Sequence, residues 1–168
     1  MPLTPEREQF IADMANDEWV DRLPPSINSS CPEFEALSDE IDREMAQFLE
    51  HTRDPEELHC FADLWNWDGG VEQLHAVIRN PACDLSTARL VFWRAQPLYF
   101  IRRPKSQDPD DEGWGLILEI MERVREGVYL PATLEYDPRE MSGVIGELEA
   151  ERYGIPVELC DCFPADTA

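Results

Sequence analysis

Apolar residues in this chain fall at intervals of three and four in seven separate runs, most of them opened by proline or aspartate and closed by proline, asparagine or glycine. That spacing is the period of an α-helix, so it confines the chain to a mainly helical fold. The clearest run follows Pro32 and carries Phe34, Leu37, Ile41, Met45 and Phe48, with acids on the opposite side. Before it, Thr4-Pro5 is a good helix start, and Phe10, Ile11 and Met14 keep helical spacing towards Trp19, Val20 and Leu23, where Pro24-Pro25 stops the run. The two runs form an amphipathic hairpin over residues 4–50.

The next runs make a centre over residues 54–101. Asp54-Pro55 opens a helix through Leu58, Phe61 and Trp65, with two acids in its positive first turn. Residues 66–70 end it. Val71, Leu74, Val77 and Ile78 form a stripe closed by Asn80-Pro81, and Asp84 then caps a helix through Leu85, Ala88, Val91 and Phe92. Leu90 and Trp93 widen the apolar face of that last helix, so it is expected at the centre of the fold. Residues 102–113 are polar and broken by proline, which predicts a loop. Beyond it, Trp114, Ile117, Leu118, Met121 and Val124 predict a helix ended by Gly127, and Asp137-Pro138 opens another through Met141, Val144, Ile145 and Leu148 to Gly154. Residues 132–136 and 157–159 are too short for helices and could pair as a two-stranded ribbon. The expectation is therefore one mainly α domain over 1–168, a compact assembly of about seven helices, its last acidic part spanning 110–168.

Charge is distributed unevenly over these parts. The whole chain carries 36 acids against 14 bases, a formal −22. Residues 1–58 hold 16 acids and 4 bases, residues 59–107 hold 4 and 6, and residues 108–168 hold 16 and 4, giving −12, +2 and −12. Two acidic wings flank a near-neutral, aromatic-rich centre. A surface this negative does not favour phosphate backbones or anionic lipid, so neither nucleic acid nor membrane is an expected partner. No stretch approaches a membrane span and the start shows no basic-then-apolar leader, which points to the cytoplasm. The five cysteines, Cys31, Cys60, Cys83, Cys160 and Cys162, are expected as reduced thiols.

The strings Leu58-His59, Asn66-Trp67-Asp68-Gly69-Gly70, Pro81, Cys83-Asp84-Leu85-Ser86-Thr87-Ala88 and Phe92-Trp93 resemble the bacterial family called domain of unknown function 4274. The resemblance runs over about residues 58–101, with departures at Gly69, Ser86 and Arg89. It implies no established activity. Small bacterial domains of this kind often stand beside secreted toxins as candidate immunity proteins, so the resemblance implies a cognate toxin as partner.

Chemistry-bearing patterns are few. The turn of Asn66, Trp67, Asp68 and Gly69 could present an amide, an indole and a carboxylate to a ligand, yet the same residues satisfy a local turn, and Asp84 with Thr87 is explained as the first turn of a helix. His51, His59 and His75 lack metal-ligand spacing with Cys60 and Cys83, so no metal or cofactor is expected. Cys160 and Cys162 could oxidise reversibly. No nucleophile elbow, phosphate loop or Cys–His signature occurs, and no catalytic residue is expected.

The acidity itself admits a solvated surface, salt adaptation (Lys105 is the lone lysine against 13 arginines) or recognition of a basic partner. Together with the resemblance, it leads to the expectation of an immunity protein that neutralises a basic, nuclease-type toxin. Its contacts are sought first at Asp108, Asp110, Asp111 and Glu112 with Trp114 beside them, and second at Glu33, Glu35, Asp39 and Glu40. The alternative is a small enzyme or ligand-binding domain with an aromatic pocket at Trp65, Trp67, His59 and Trp93. Oligomeric state is left open.

Overall fold

The computed structural model describes residues 2–103, 111–134, 145 and 147–160. Eight α-helices occur among them, and no named β-strand. The first, α1 (Pro5–Asn16), is capped by the Thr4 side chain, which accepts from the Arg7 amide. It ends earlier than the periodicity suggests. Asp17 turns left-handed at φ 55°, a conformation that Asp tolerates, and Trp19 then packs against Phe34 with ring centroids 5.2 Å apart. Trp19, Val20 and Leu23 thus belong to a connection with a 3-10 turn at Val20–Arg22, not to α1.

The next four helices follow their sequence signals. They are α2 (Pro32–His51), α3 (Pro55–Leu64), α4 (Glu72–Arg79) and α5 (Leu85–Arg94). Asp54 accepts from the Glu56 amide at 2.9 Å and Asp84 from the Thr87 amide at 2.9 Å, the two caps the sequence predicts. α5 packs against α3, α4, α6, α7 and the 3-10 turn at Val157–Leu159, so it is the central helix. The short α6 (Pro97–Ile101) has no sequence signal of its own beyond Pro97; a left-handed Gln96 starts it and burial of Pro97 and Leu98 holds it. α7 (Glu112–Arg125) begins two residues before Trp114, inside the stretch expected as loop, because Asp111 caps it by accepting from the Trp114 amide at 3.0 Å. α8 (Glu147–Tyr153) ends at Gly154 as expected. Its expected start, residues 137–144, lies outside the described residues.

The ribbon does not form among the described residues. Val157–Leu159 is a 3-10 turn, fixed by burial of Leu159 and by the Trp93 indole donating to the Leu159 carbonyl at 2.7 Å. Leu130 instead makes an isolated parallel bridge to Asp84, through Leu85 N to Leu130 O at 3.0 Å and Leu130 N to Cys83 O at 3.2 Å.

The core is shared across all three charge regions. Phe48 of α2 meets Phe61 of α3 at 5.8 Å, and Phe61 stacks on Trp65 at 5.4 Å. Ile11 of α1, Leu116, Ile117 and Ile120 of α7, and Leu159 are fully buried in the same cluster. The near-neutral centre is therefore not a self-contained core.

Candidate functional site

Helix α2 gathers more carboxylates than any other element described. It carries seven acids and one arginine over 20 residues. Pro32 at its first position pre-sets the backbone, and Glu33 and Glu35 lie where the helix dipole favours negative charge. Beyond them Asp39, Glu40, Asp42 and Glu44 continue the exposed face. None of these six carboxylates enters an ion pair or side-chain hydrogen bond among the described residues, whereas Asp13, Glu57, Asp63, Glu119 and Glu149 each hold an arginine.

Only the C-terminal half of α2 is anchored deeply. Met45, Phe48 and Leu49 are buried, while Phe34, Leu37 and Ile41 are half-buried, so the acidic N-terminal half stands out from the body. The anchor is reinforced by Asn80, which is buried and donates from Nδ2 to the carbonyls of Leu49 at 2.8 Å and Thr52 at 3.2 Å. Its Oδ1 accepts from the Ala82 amide at 2.8 Å, so all three of these bonds serve the joint between α2 and the turn after α4. The Thr52 hydroxyl donates to Glu57 at 2.5 Å, and Arg7 binds the same carboxylate at 2.6 Å. The Arg7 bond first and the Thr52 bond second hold the Glu57 carboxyl below its usual range, against the opposing effect of burial.

A groove of about 640 Å³ runs between α2 and α4. Met45, Ala46, Leu49 and Ala76 give it an apolar floor, with Asp42 and Glu50 on one rim and Glu72 on the other. Arg79 also lines it, but its guanidinium is held by Glu119 through two bonds of 2.6 Å, and His75 donates to the same carboxylate at 2.7 Å. The arginine, and then the histidine bond, lower the Glu119 carboxyl from its usual value despite partial burial. Sequence reasoning missed this groove and the joint at Asn80. The only signal for the latter was an Asn-Pro pair, which reads equally well as a simple helix stop.

The first-choice contact loop is only partly described. Asp108 and Asp110 lie outside the described residues. Asp111 is occupied in capping α7, Glu112 is exposed in the first turn, and Trp114 is half-buried and stacked on Phe100 at 5.7 Å. The family-like turn is held by local bonds. Asn66 accepts from the Asp68 amide at 3.1 Å, and its own amide donates to the Ala15 carbonyl at 2.8 Å, tying the turn to the end of α1. Trp67 is half-buried against the core and Asp68 is exposed. A Cβ at Gly69 would come within 3.1 Å of the Trp65 ring, which rationalises glycine at the position where the resembled pattern has Asp.

Asp84 is fully buried and does more than cap α5. Its second oxygen accepts from the Thr133 amide at 2.9 Å and the Thr133 hydroxyl at 3.0 Å, while Ser86 donates to the Leu134 carbonyl at 2.7 Å. Thr87 is buried, with its hydroxyl 3.2 Å from His59 Nδ1.

The four residues of the alternative aromatic pocket are built into the body and do not line the groove. Trp65 donates to the Gly70 carbonyl at 3.0 Å, Trp93 to Leu159, and His59 bonds with Thr87. Burial raises the Cys60 thiol to about 11 and pushes Cys83 further up, which disfavours either as a thiolate nucleophile. Cys160 is buried, and Cys162 lies outside the described residues. Among the described residues no three His, Cys, Asp or Glu side chains gather into a metal-holding group, and no helix is long and apolar enough to cross a membrane.

Residues 53–124 match the family model described as Domain of unknown function (DUF4274), the family whose motifs the central segment carries. The match covers less than half of the chain, from the residue before the Asp54 cap to the last turn of α7. No curated protein and no solved structure matches the chain.

Proposed function

We propose that this chain is an acidic protein-binding module directed at a basic partner, most concretely an immunity protein that neutralises a basic toxin of nuclease type. The observation that carries the reading is the exposed face of α2, where six carboxylates stand without a cation to hold among the described residues. A toxin that handles nucleic acid must carry Lys or Arg for its phosphates, and such a surface is complementary to this one. Facing carboxylates would steer the encounter and reject acidic competitors. The central family-like segment then serves as the scaffold that fixes α2, through Asn80 and the Phe48–Phe61 contact.

A search of the neighbouring genes for a basic, growth-inhibiting protein, followed by co-expression with it, is the decisive experiment. Growth is expected to be rescued from that protein's toxicity, and the purified pair should associate more slowly as salt rises from about 50 to 300 mM. Combined reversal of Glu33, Glu35, Asp39 and Glu40 to Lys should reduce the association rate by about tenfold or more while the helical spectrum is retained. Absence of rescue, or association indifferent to both salt and charge reversal, would overturn the reading.

A further inference from the structure

We infer that the groove between α2 and α4 is a docking slot for a basic amphipathic helix, one with an apolar stripe flanked on both sides by Lys or Arg. The inference rests on the acidic-binder reading and deepens it by giving the partner's contacting element a shape. On α2 the groove is lined at positions 42, 45, 46, 49 and 50, and on α4 at 72, 73, 76 and 79, with Asn80 and Pro81 just beyond, so each helix presents a single face to it. From Asp42 to Glu50 that face rises by about 12 Å, or two helical turns.

The floor suits a helix because Ala46 and Ala76 let a backbone approach closely, while Met45 and Leu49 supply adaptable apolar contact. The rims decide the charge. Asp42 and Glu50 stand on one side and Glu72 on the other, so an incoming helix meets carboxylates along both edges of its apolar stripe. Arg79 does not offset them, since both of its bonded nitrogens are committed to Glu119. A second copy of this chain is a poor occupant, because each copy carries −22 and acids would face acids.

The test uses the full chain and a synthetic peptide of about 15 residues with Leu at helical spacing and Lys on both flanks of the stripe. Its control is a peptide of identical composition, scrambled so that no stripe forms. Fluorescence anisotropy in about 50 mM salt should show the striped peptide binding about tenfold tighter than the scrambled one. Filling the floor by Ala46→Phe, at an exposed helical position, should weaken the striped peptide by about tenfold, and Glu72→Lys should slow its association. Circular dichroism of both variants checks that they remain folded.

Equal binding of the two peptides, unaffected by Ala46→Phe, would overturn the slot and leave acid-led recognition standing. Failure of both Lys peptides to bind would overturn the slot and the acidic-binder reading together. Self-association of the chain that Ala46→Phe abolishes would assign the groove to a second copy and overturn the helix.

Discussion

Asp84 has a fully buried carboxylate that accepts from the Thr87 amide and from both donors of Thr133. Truncation in Asp84→Ala leaves three donors without their acceptor and should cost about 2–4 kcal/mol in urea unfolding. Asp84→Asn keeps one oxygen for the cap but sets an amide against the Thr133 N–H, so a cost below that of Ala and well above a surface change is expected. A variant as stable as the parent would mean that the 130–134 segment is not held through this side chain. His59 offers a pH-dependent counterpart. Burial, the largest influence, keeps its imidazole below the ordinary value, aided by Arg94 and opposed by Asp84 and Asp63. The folded chain therefore takes up this proton less readily than the unfolded one. Its contribution is fully present above the unfolded value near pH 6.5 and is lost as pH falls from there towards the lower folded value. His59→Gln should flatten stability across that window, as measured by urea midpoints at stepped pH. The depressed carboxyls of Glu57 and Glu119 act lower, giving up their contribution only as pH drops below about 4.5 and through their folded values.

At the scale of elements, α2 combines a tied end with a lightly held one. Asn80 joins the last turn of α2 to the start of the 80–84 turn, so Asn80→Ala should take the side-chain donor from the Leu49 carbonyl and the acceptor from the Ala82 amide, while the Thr52 carbonyl keeps its bond from Arg53, and cost about 1–3 kcal/mol. Hydrogen exchange should quicken most at the residues around 48–53, with α5 little changed; uniform acceleration throughout the chain would contradict a local joint. What was legible in the sequence follows from the range of the interaction that fixes each element. The caps at Asp54 and Asp84 and the stripe of α2 are set by neighbours within a turn, so spacing reveals them. The end of α1 depends on Trp19 reaching Phe34, and α6 depends on burial of Pro97 and Leu98, neither of which local spacing encodes. The acids of α2 were legible as a candidate surface. The groove beside them was not, because it exists only once α2 and α4, about thirty residues apart in the chain, lie against each other.

At the scale of the whole molecule, the division into acidic wings and neutral centre describes the surface and fails for the interior. The family match at residues 53–124 takes in α3 to α7 but leaves out partners that those helices need. Ile11, Met14 and Ala15 of α1 are buried in the shared cluster, where α1 packs on α3, and Phe48 covers Phe61 from α2. On the other side the Trp93 indole needs the Leu159 carbonyl, and Asp84 needs Thr133. A fragment restricted to 53–124 would therefore expose one face of α3 and return both polar groups to water. Burial of a large apolar side chain is worth roughly 1.5–3 kcal/mol, and a domain's whole stability is about 5–15 kcal/mol, so loss of several such contacts exceeds what the fragment can retain. The expected outcome is a full chain that melts cooperatively and a 53–124 fragment with a weak near-ultraviolet signal and a broad, non-cooperative transition. Restoring residues 2–52 alone should recover part of the cooperativity, by covering α3, while the Trp93 and Asp84 bonds stay open until 125–160 is also present. A sharp transition in the bare fragment would show that the wings are appendages to an independent core, contrary to the shared packing of α1, α2 and α3.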